Sequence, residues 1–271
     1  MNDRLSVSIV TYNTDLHELE RCLQSLDSPI VGNISIIDNS NQEYIAHYCK
    51  SIKKVTYIPN ENIGYGAGHN IGIRYSLNQN IDYHLVLNSD VRFEPQVLET
   101  LIEYMDKNTD VGQIQPKITY PGGELQYTVR MLPTPRDLIL RRFLPKSIVD
   151  KNDYRYLLKF ADHNKIMNIA YHQGSFMLFR TSAIRKIGLF DERFFMYPED
   201  IDITRRMHRH FKTIYFPEVN IIHDHRAASY KNGRMLRIHI INMIRYFNKW
   251  GWIFDKERRQ FNRQIIDKYA P

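Results

Sequence analysis

Four apolar segments in the N-terminal third of the chain each end in polar side chains, and helical patterns follow them. The segments are VSIVTYN (7–13), ISIIDNS (34–40), KVTYIPN (54–60) and HLVLNSDV (84–91). Apolar strands that alternate with helices are typical of an α/β fold with a doubly wound, mostly parallel sheet, whose ligands bind at the carboxyl ends of the strands. The polar residues at these ends are Asn13, Asp38, Asn60 and Asp90. The sequence therefore predicts a ligand site at this edge of the sheet.

The helical patterns between these strands carry start signals. Asp15 and Glu18 have the spacing of a capping box, and Pro95 stands where the first turn of a helix tolerates proline. The segment NENIGYGAGHNIGI (60–73) runs from a loop with glycines into a third helix. These signals support strand–helix alternation in this part of the chain.

The pattern weakens between about residues 120 and 170, where prolines interrupt basic and aromatic residues. We interpret this region as an irregular insertion with short helices and as a candidate mobile lid. Regular structure resumes with the strand and helix of HQGSFMLFRTSAI (172–184). A long amphipathic helix is predicted near 234–249.

Composition bounds the class of protein. The 271 residues are 43% hydrophobic and 25% charged, as in ordinary soluble domains. The first residues lack the apolar core of a secretory signal, and no apolar run reaches the roughly 18 residues of a membrane span. We therefore expect a cytoplasmic protein that can lie peripherally on the inner face of the membrane. Cys22 and Cys49 lack metal-ligand spacing, and a structural disulfide is not expected.

The formal net charge of +7 is concentrated at the C-terminus, where ten lysines and arginines between 231 and 268 face three acidic residues. Such a segment suits nucleic acid, an anionic membrane surface or an anionic substrate. The sequence contains no zinc-finger, RNA-recognition or helix-turn-helix signature, so nucleic acid is not favoured.

Two polar stretches carry the chemistry. FDERFFMYPEDID (190–202) interleaves carboxylates with aromatic side chains, and exclusion of water raises the basicity of a carboxylate until it can act as a general base. Asn88-Ser89-Asp90 ends a strand, where Asp90 is a candidate ligand for Mg²⁺ or Mn²⁺ and Asn88 a neighbour of the ribose or a metal-bound water. An exposed acidic helix start and an ordinary turn are the respective alternatives. We interpret Asp202 and Arg205 as a helix-start carboxylate and its partner one turn on.

Seven blocks of this sequence stand in the order found in a known family. They are VSIVTYN, IIDNS, NENIGYGAGHN, LVLNSDV, GSFMLFR, FDERFFMYPEDID and IIHDHRAAS, from residue 7 to 229. The chain resembles the inverting family 2 glycosyltransferases with the GT-A fold, and in particular their bacterial rhamnosyltransferase-like branch. The family usually has D-x-D or N-x-D in the fourth block; this chain has the Asn form, which leaves one metal carboxylate there.

The resemblance implies a nucleotide-diphosphate sugar donor and assigns residues to it. Asp38 would bind the base or ribose, although capping of a strand-to-helix turn is the alternative. The remaining donor positions would shape its pocket or bring the backbone close to it, and a plain helix-start loop explains the glycines equally well. These positions are Thr11, Tyr12, Asn13, Asn62, Gly64, Gly66 and Asn70.

The resemblance also implies the catalytic and metal residues. Asp200 would be the general base that takes the proton of the acceptor hydroxyl in an inverting displacement, with Glu199 as its rival. His223, or else His225, would complete the metal site with Asp90, and Lys231 would belong to a cationic segment that holds the diphosphate.

The implied function is metal-dependent transfer of a sugar, plausibly from dTDP-rhamnose, to a saccharide or polyprenyl-linked acceptor in cell-surface polysaccharide (O-antigen) biosynthesis. The alternatives are a non-catalytic protein that binds a nucleotide sugar or polyanion and, less favoured, a sugar nucleotidyltransferase, for which TYNTDLHE lacks the phosphate loop.

We expect a catalytic domain over 1–230, with a nucleotide half at 1–118 and an acceptor half at 119–230. A basic helical segment, 231–271, would follow. Phe247, Trp250 and Trp252 are candidates for membrane insertion, with core packing or a homodimer contact as the alternatives.

Overall fold

The computed structural model describes residues 3–138, 146–224 and 233–270, which form one nine-stranded sheet with helices on both faces. The strands are β1 (Leu5–Thr11), β2 (Val31–Asp38), β3 (Val55–Pro59), β4 (Tyr83–Leu87), β5 (Val91–Arg92), β6 (Val111–Thr119), β7 (Met167–Asn168), β8 (Phe176–Arg180) and β9 (Lys212–His223). Eight of them follow the order β3-β2-β1-β4-β8-β6-β9-β5 in the sheet, and β7 pairs with β9. The predicted α/β class with a doubly wound sheet is confirmed.

The helices occupy the intervals that the sequence patterns predicted. They are α1 (Leu16–Gln24), α2 (Glu43–Cys49), α3 (Tyr65–Asn78), α4 (Gln96–Lys107), α5 (Pro135–Leu138), α6 (Lys146–Tyr156), α7 (Thr181–Ile187), α8 (Glu199–His208), α9 (Gly233–Trp250) and α10 (Lys256–Tyr269). Asp15 is the N-cap of α1, where its carboxylate accepts the Glu18 backbone N–H at 3.2 Å. The amphipathic helix predicted near 234–249 is α9.

The sheet divides into a parallel half and a mixed half. Strands β3, β2, β1 and β4 are parallel, and their register places Thr11 beside Asp38 and Asp38 beside Pro59. Strand β8 is antiparallel to both β4 and β6, whereas β9 is parallel to β6. Two residues of β5 pair antiparallel with the end of β9, which sets Val91 opposite His223. The two strand ends that carry Asp90 and His223 thereby meet.

Alternation along the central strands separates two cores. Leu85 and Leu87 of β4 face the helices α1, α2 and α4, whereas Val86 faces α3, α7 and α8. This period of two follows from the pleat of a strand, which points successive side chains to opposite faces. A strand buried on both faces reads as a continuous apolar run, which is why β4 was recognisable in the sequence.

A third core joins the C-terminal helices to the region after β6. Met243 and Phe247 of α9 and Ile265 of α10 lie in one buried cluster with Val129 and Ile201. The predicted boundary at residue 230 stays a prediction, but the C-terminal helices pack against the region after β6. None of the helices in the described ranges combines the length and apolar character of a membrane span.

Two expectations about this segment are wrong. Phe247 is fully buried, and the Trp250 indole N–H donates to Asp202 at 2.8 Å, so neither side chain is available for membrane insertion. Arg205 is not the partner of Asp202; it forms a bidentate pair with Asp255 at 2.6 and 2.7 Å. Asp202 pairs instead with Arg206 one turn on, at 2.8 Å, because positions i and i+4 share a face of a helix.

Candidate active site

The ends of β1 and β2 form the first part of the site, and Asp38 organises it. Its Oδ1 accepts the backbone N–H and the hydroxyl of Ser40, and its Oδ2 accepts the Gln42 N–H at 2.6 Å and the Tyr57 hydroxyl at 2.9 Å. Burial alone would raise the pKa of Asp38, but these donors hold it below its ordinary value. Four hydrogen bonds use the acceptor capacity of one carboxylate. Asp38 therefore fixes the loop after β2, and a direct contact with a base or ribose stays a prediction.

The other predicted residues of this edge surround that loop. Thr11 is buried and its hydroxyl has no hydrogen-bond partner among the described residues. Tyr12 is 57% exposed, and Asn13 adopts a positive φ of 49° while its N–H donates to the Ser40 hydroxyl at 2.9 Å. An unpartnered buried hydroxyl beside an exposed aromatic ring is suited to a planar polar ligand.

The glycine-bearing segment before α3 has a packing role that the sequence interpretation did not include. A Cβ on Gly64, whose φ is 103°, would lie 2.4 Å from the Phe195 carbonyl oxygen, so only glycine fits this approach. A Cβ on Gly66 would lie 3.0 Å from the side chain of Phe190. Both glycines thus dock α3 against the acidic and aromatic stretch, and a backbone contact with the donor stays a prediction.

Asn70 and Asn62 differ in their exposure to solvent. The Asn70 side chain is fully buried; it donates to the Phe190 carbonyl at 3.0 Å and to Glu192 at 2.9 Å, and it accepts the Phe190 N–H at 3.0 Å. This amide holds the acidic stretch in place. Asn62 is exposed at the strand ends, and of the two it is the one with capacity for a ligand.

Asn88 connects the donor side of the site to the acidic stretch. The Tyr65 hydroxyl lies 2.8 Å from Asn88 Oδ1 and 2.6 Å from the Gly174 carbonyl oxygen. The Gly174 N–H in turn donates to Asp200 at 3.0 Å. Tyr65 and the Gly174 backbone therefore link the predicted site residues Asn88 and Asp200. No pattern in the sequence indicated this role of Tyr65, which stands in the glycine-bearing block.

Asp90 and His223 come together although they are 133 positions apart in the chain. Their Oδ1 and Nε2 atoms are 3.2 Å apart, the Asp90 side chain is 19% exposed and the His223 side chain 2%. Pairing of β5 with β9 produces this approach. Neighbouring ligands of an octahedral ion with bonds of about 2.1 Å are about 3 Å apart, so this separation fits two ligands of one cation.

Gln126 determines which nitrogen of His223 faces Asp90. Its Nε2 donates to the His223 carbonyl at 2.7 Å, so its Oε1, 2.9 Å from His223 Nδ1, can only accept. Nδ1 must carry the hydrogen, and a neutral ring then presents the Nε2 lone pair to the Asp90 side. One imidazole nitrogen and one carboxylate are a donor set that suits Mn²⁺ or Mg²⁺ when phosphate oxygens supply the rest.

No group of three or more metal-binding side chains occurs within residues 3–138, 146–224 and 233–270. His225 and Lys231, predicted for the metal site and the diphosphate, lie outside the described residues.

Glu199 and Asp200 start helix α8 and are 4% and 7% exposed. Asp200 accepts the N–H groups of Gly174 at 3.0 Å and of Ile201 at 2.8 Å, whereas Glu199 Oε2 has no partner among the described residues. Burial raises the pKa of Asp200 to about 7. Burial, and then repulsion from Asp200, raise the pKa of Glu199 well above its ordinary value. Asp200 is therefore the carboxylate of the pair that ionises near neutral pH.

Both acidic residues line a cavity of about 1010 Å³ that also reaches Asn88. Tyr197, which precedes α8 by two residues, has a φ of 94°, and its ring meets His239 of α9 edge-on at 4.7 Å. A non-glycine residue at such a φ is strained and persists where its surroundings fix it. Helix α9 thus forms one side of the cavity.

Sequence reasoning missed two further residues of this cavity, Arg130 and Tyr156. Both lie in the region from 120 to 170, where the residue pattern indicated only an irregular insertion. Gln126 was missed for the same reason. An isolated Arg, Tyr or Gln in a loop has no periodicity or motif that could have indicated its position.

The chain is similar to known proteins of one family. The model of the Glycosyl transferase family 2 matches residues 6–188. The low-salt glycan biosynthesis hexosyltransferase of Haloferax volcanii is 31% identical over 215 residues, 77% of this chain and 63% of the relative. The N-acetylglucosaminyl-diphospho-decaprenol L-rhamnosyltransferase of Mycobacterium tuberculosis is 28% identical over 251 residues, which cover 84% of this chain and 78% of the relative.

A crystal structure of GalNAc-T7 with UDP, GalNAc and Mn2+ superposes with a TM-score of 0.65 at 14% identity. The similarity covers 98% of this chain and 57% of that one, and at this identity it speaks to the fold alone. The family match spans β1 to α7, and helix α8 with its two acidic residues begins beyond it, at Glu199. The chain belongs to glycosyl transferase family 2.

Proposed function

We propose that this protein is an inverting glycosyltransferase that moves rhamnose from dTDP-rhamnose to a saccharide or lipid-linked saccharide acceptor in polysaccharide biosynthesis. The observation that carries the proposal is Asp200: a buried carboxylate on the wall of a large cavity, with a pKa of about 7. A general base works best when its pKa is close to the operating pH.

The reaction is a single displacement. The acceptor hydroxyl gives its proton to Asp200 as its oxygen forms a bond to the anomeric carbon. The bond from that carbon to the diphosphate oxygen breaks on the opposite face, and the electron pair leaves with the nucleoside diphosphate. Each Asp200 oxygen accepts one backbone N–H, which fixes the carboxylate and leaves a further acceptor site on each oxygen for the hydroxyl.

Glu199 has a different part in this scheme. Its raised pKa favours the protonated carboxyl, which can donate a hydrogen bond into the cavity. We assign it to orientation of the acceptor and not to proton removal.

A divalent cation, Mn²⁺ or Mg²⁺, would be held by Asp90 and His223. When bound, such an ion neutralises charge on the departing diphosphate. GalNAc-T7, which shares the fold, was crystallised with both UDP and Mn2+. His223 is oriented for this role by Gln126, and His225 and Lys231 remain candidates next to it in the sequence.

Rhamnose and its nucleotide are proposed because the mycobacterial relative is an L-rhamnosyltransferase that uses an N-acetylglucosaminyl-diphospho-decaprenol, according to its name. The haloarchaeal relative is a hexosyltransferase of glycan biosynthesis. The buried Thr11 hydroxyl, the exposed Tyr12 ring and the Asp38 loop would form the nucleoside pocket.

Calorimetric titration of dTDP, UDP and GDP, each with and without Mn²⁺, tests the donor class. We expect dTDP to bind tightly only with the metal, and Asp90→Ala to remove that metal dependence. Failure of a folded sample to bind any of the three nucleotides would overturn the proposal. Binding of UDP or GDP alone would replace dTDP-rhamnose by another donor.

We also infer peripheral contact with the cytoplasmic face of a membrane. Six of the twelve exposed large hydrophobic side chains in the described residues lie between 240 and 254, with Ile253 at 66% and Phe254 at 86% exposure. The basic residues Lys256 and Arg259 flank them, as in interfacial segments. Sedimentation with vesicles that contain anionic lipid should fall for Ile253→Ser/Phe254→Ser. A homodimer through this surface would appear instead as a mass change in light scattering.

A further inference from the structure

The lining of the cavity beside Asp200 is chemically mixed, and we call its two sets of residues the apolar wall and the polar wall. The apolar wall includes side chains from α9 and from the segment around α6. These residues are Leu138, Val149, Leu157, Leu236, Ile240 and Met243. The polar wall consists of Arg130, Tyr156, Tyr171 and Gln173. A ligand that complements both sets must combine an apolar part with a polar or charged part.

Arg130 supplies the charge of the polar wall. Its Nε donates to the Tyr127 carbonyl at 2.9 Å and one terminal nitrogen to Gln173 Oε1 at 3.2 Å. Both acceptors are neutral, and within the described part of the chain no carboxylate forms a salt bridge with this guanidinium. A guanidinium has five N–H donors, so several remain for a ligand. Burial acts to lower the pKa of Arg130, yet that pKa stays above its ordinary value because Tyr171, Tyr156 and Asp200 favour the charged form.

Tyr156 provides a second indication of a ligand. It is 3% exposed and lines the cavity, and apart from the Arg130 guanidinium beside it its hydroxyl has no hydrogen-bond partner among the described residues. A guanidinium can only donate, so the hydroxyl hydrogen has no acceptor, and a buried donor without an acceptor requires an explanation such as a bound group. Its position beside a charged guanidinium marks a place where a donor and a cation converge.

We propose that Arg130 and Tyr156 bind the phosphate of an acceptor that is a phosphate or diphosphate ester of an alkyl chain, and that the apolar wall receives the first carbons of that chain. The inference rests on the proposed transfer reaction, because it describes the acceptor of that reaction. Arg130 is the specificity determinant: a guanidinium forms paired hydrogen bonds with phosphate oxygens, and the planar group is already held by Tyr127 and Gln173.

The proposal differs from a purely internal role for Arg130. If the guanidinium served only to stabilise the ionised form of Asp200, its removal would shift the pH profile of transfer and leave the binding of anions unchanged. If it binds the acceptor, affinity for the anionic ester falls with any sugar, and even with no sugar at all. A direct binding experiment therefore separates the two roles.

The experiment is calorimetric titration of n-decyl diphosphate into the full chain, with Mn²⁺ and dTDP saturating so that the donor side is occupied. We expect binding to persist under these conditions and to weaken about 10- to 100-fold in Arg130→Gln, since charge-assisted hydrogen bonds are lost. Arg130→Lys should lie in between. Tyr156→Phe removes only the hydroxyl beside Arg130 and should weaken binding by about three- to tenfold.

Arg263→Gln is the matched control, because the Arg263 side chain on α10 is 84% exposed. It should bind decyl diphosphate like the unchanged protein. Equal affinity in Arg130→Gln and the unchanged protein, competition by dTDP, or an equal loss of affinity for neutral decyl maltoside would each overturn the proposal. Because dTDP binding is measured on the same samples, failure of the donor proposal is recognised separately.

Discussion

Two buried aspartates of this protein, one at the end of β2 and one at the start of α8, have pKa values shifted in opposite directions. Asp38 is 0% exposed and Asp200 is 7% exposed, so both lose almost all contact with water. Asp38 accepts four hydrogen bonds and its pKa is lowered, whereas Asp200 accepts two backbone N–H groups and its pKa rises to about 7. Burial alone does not set the charge of a carboxylate; the number of donors offered to its ionised form does.

The two aspartates also differ in role, since Asp38 is suited to holding a loop and Asp200 to proton transfer. The loop after β2 uses the whole acceptor capacity of Asp38 to hold its own backbone, so that carboxylate has no site left for a proton in transit. Asp200 is fixed by only two donors and borders a cavity. An aspartate with spare acceptor sites and a pKa near neutrality can take a proton and return it.

Replacement of Asp200 should have the largest effect on activity. Asp200→Asn keeps the size of the side chain and removes the base, so we expect kcat to fall about 10³-fold, in the range that general bases contribute. Sugar transfer to the acceptor is the measurement, and nucleotide affinity should stay unchanged. If more than about a tenth of kcat remained, the base would have to be another residue.

The second largest effect is that of pH on transfer. Since Asp200 must be ionised, kcat should fall about tenfold per unit below its pKa of about 7. The stability of the fold should respond in the opposite direction. A folded-state pKa above the unfolded value means that this group contributes most to stability at low pH and loses that contribution as pH rises through about 7.

Denaturant unfolding of the Asp200→Asn variant checks this sign. The variant should lack the loss of stability between about pH 4 and 7 that Asp200 contributes to the unchanged protein. Asp38 has a lowered pKa, so its contribution to stability is present at pH values above its unfolded-state pKa and disappears as pH falls through its folded-state pKa.

The kcat of transfer should change on the order of a hundredfold between pH 5 and pH 8. A flat kcat profile over this range would contradict the assignment of the base.

Asp38→Asn should reverse the balance between stability and catalysis. Its amide would place N–H donors against the donors of Ser40 or Gln42, and an unsatisfied buried group costs about 1–3 kcal/mol. We expect the free energy of unfolding to drop by about 2–3 kcal/mol, with dTDP affinity reduced as the loop loosens. Asp200→Asn also places an amide N–H against the N–H of Gly174 or Ile201, but it removes a buried charge, so its effect on stability should be smaller than that of Asp38→Asn. Equal destabilisation by both variants would dissolve the distinction between the two aspartates.

Glu199→Gln should have the smallest effect. The raised pKa of this carboxyl favours its protonated form, so an amide replaces one neutral group with another. We expect kcat to change by less than about tenfold and the acceptor KM to rise modestly, since one hydrogen bond is altered. A loss as large as that of Asp200→Asn would instead make Glu199 the base.

The fold and the residues on regular elements could be predicted from the sequence for physical reasons. Strands buried on both faces, such as β4, are continuous apolar runs, and amphipathic helices repeat at 3.6 residues. Asp90 stands shortly after β4, and Asp200 stands in the first turn of α8 within an acidic motif. Their expected proximity to the ligand edge therefore followed from the topology of an α/β sheet.

Contacts between distant segments could not be predicted. Pairing of Asp90 with His223 depends on two residues of β5, too short to produce a periodic signal. The roles of Gln126, Arg130 and Tyr156 arise where an irregular segment crosses the cavity. The sequence interpretation left both membrane insertion and core packing open for Phe247, because an apolar helical stripe has the same pattern whether it faces lipid or a core.

The buried pair between Arg205 and Asp255, whose side chains are 1% and 2% exposed, ties helix α8 to the start of α10. The proposed base and its helix thus depend on residues that are synthesised after the nucleotide side. Since N-terminal units fold first during synthesis, the nucleotide side can form while the acceptor wall is still missing. Folding of this protein should therefore be ordered in time, so that a nascent chain gains affinity for the proposed donor before it can commit that donor to a reaction.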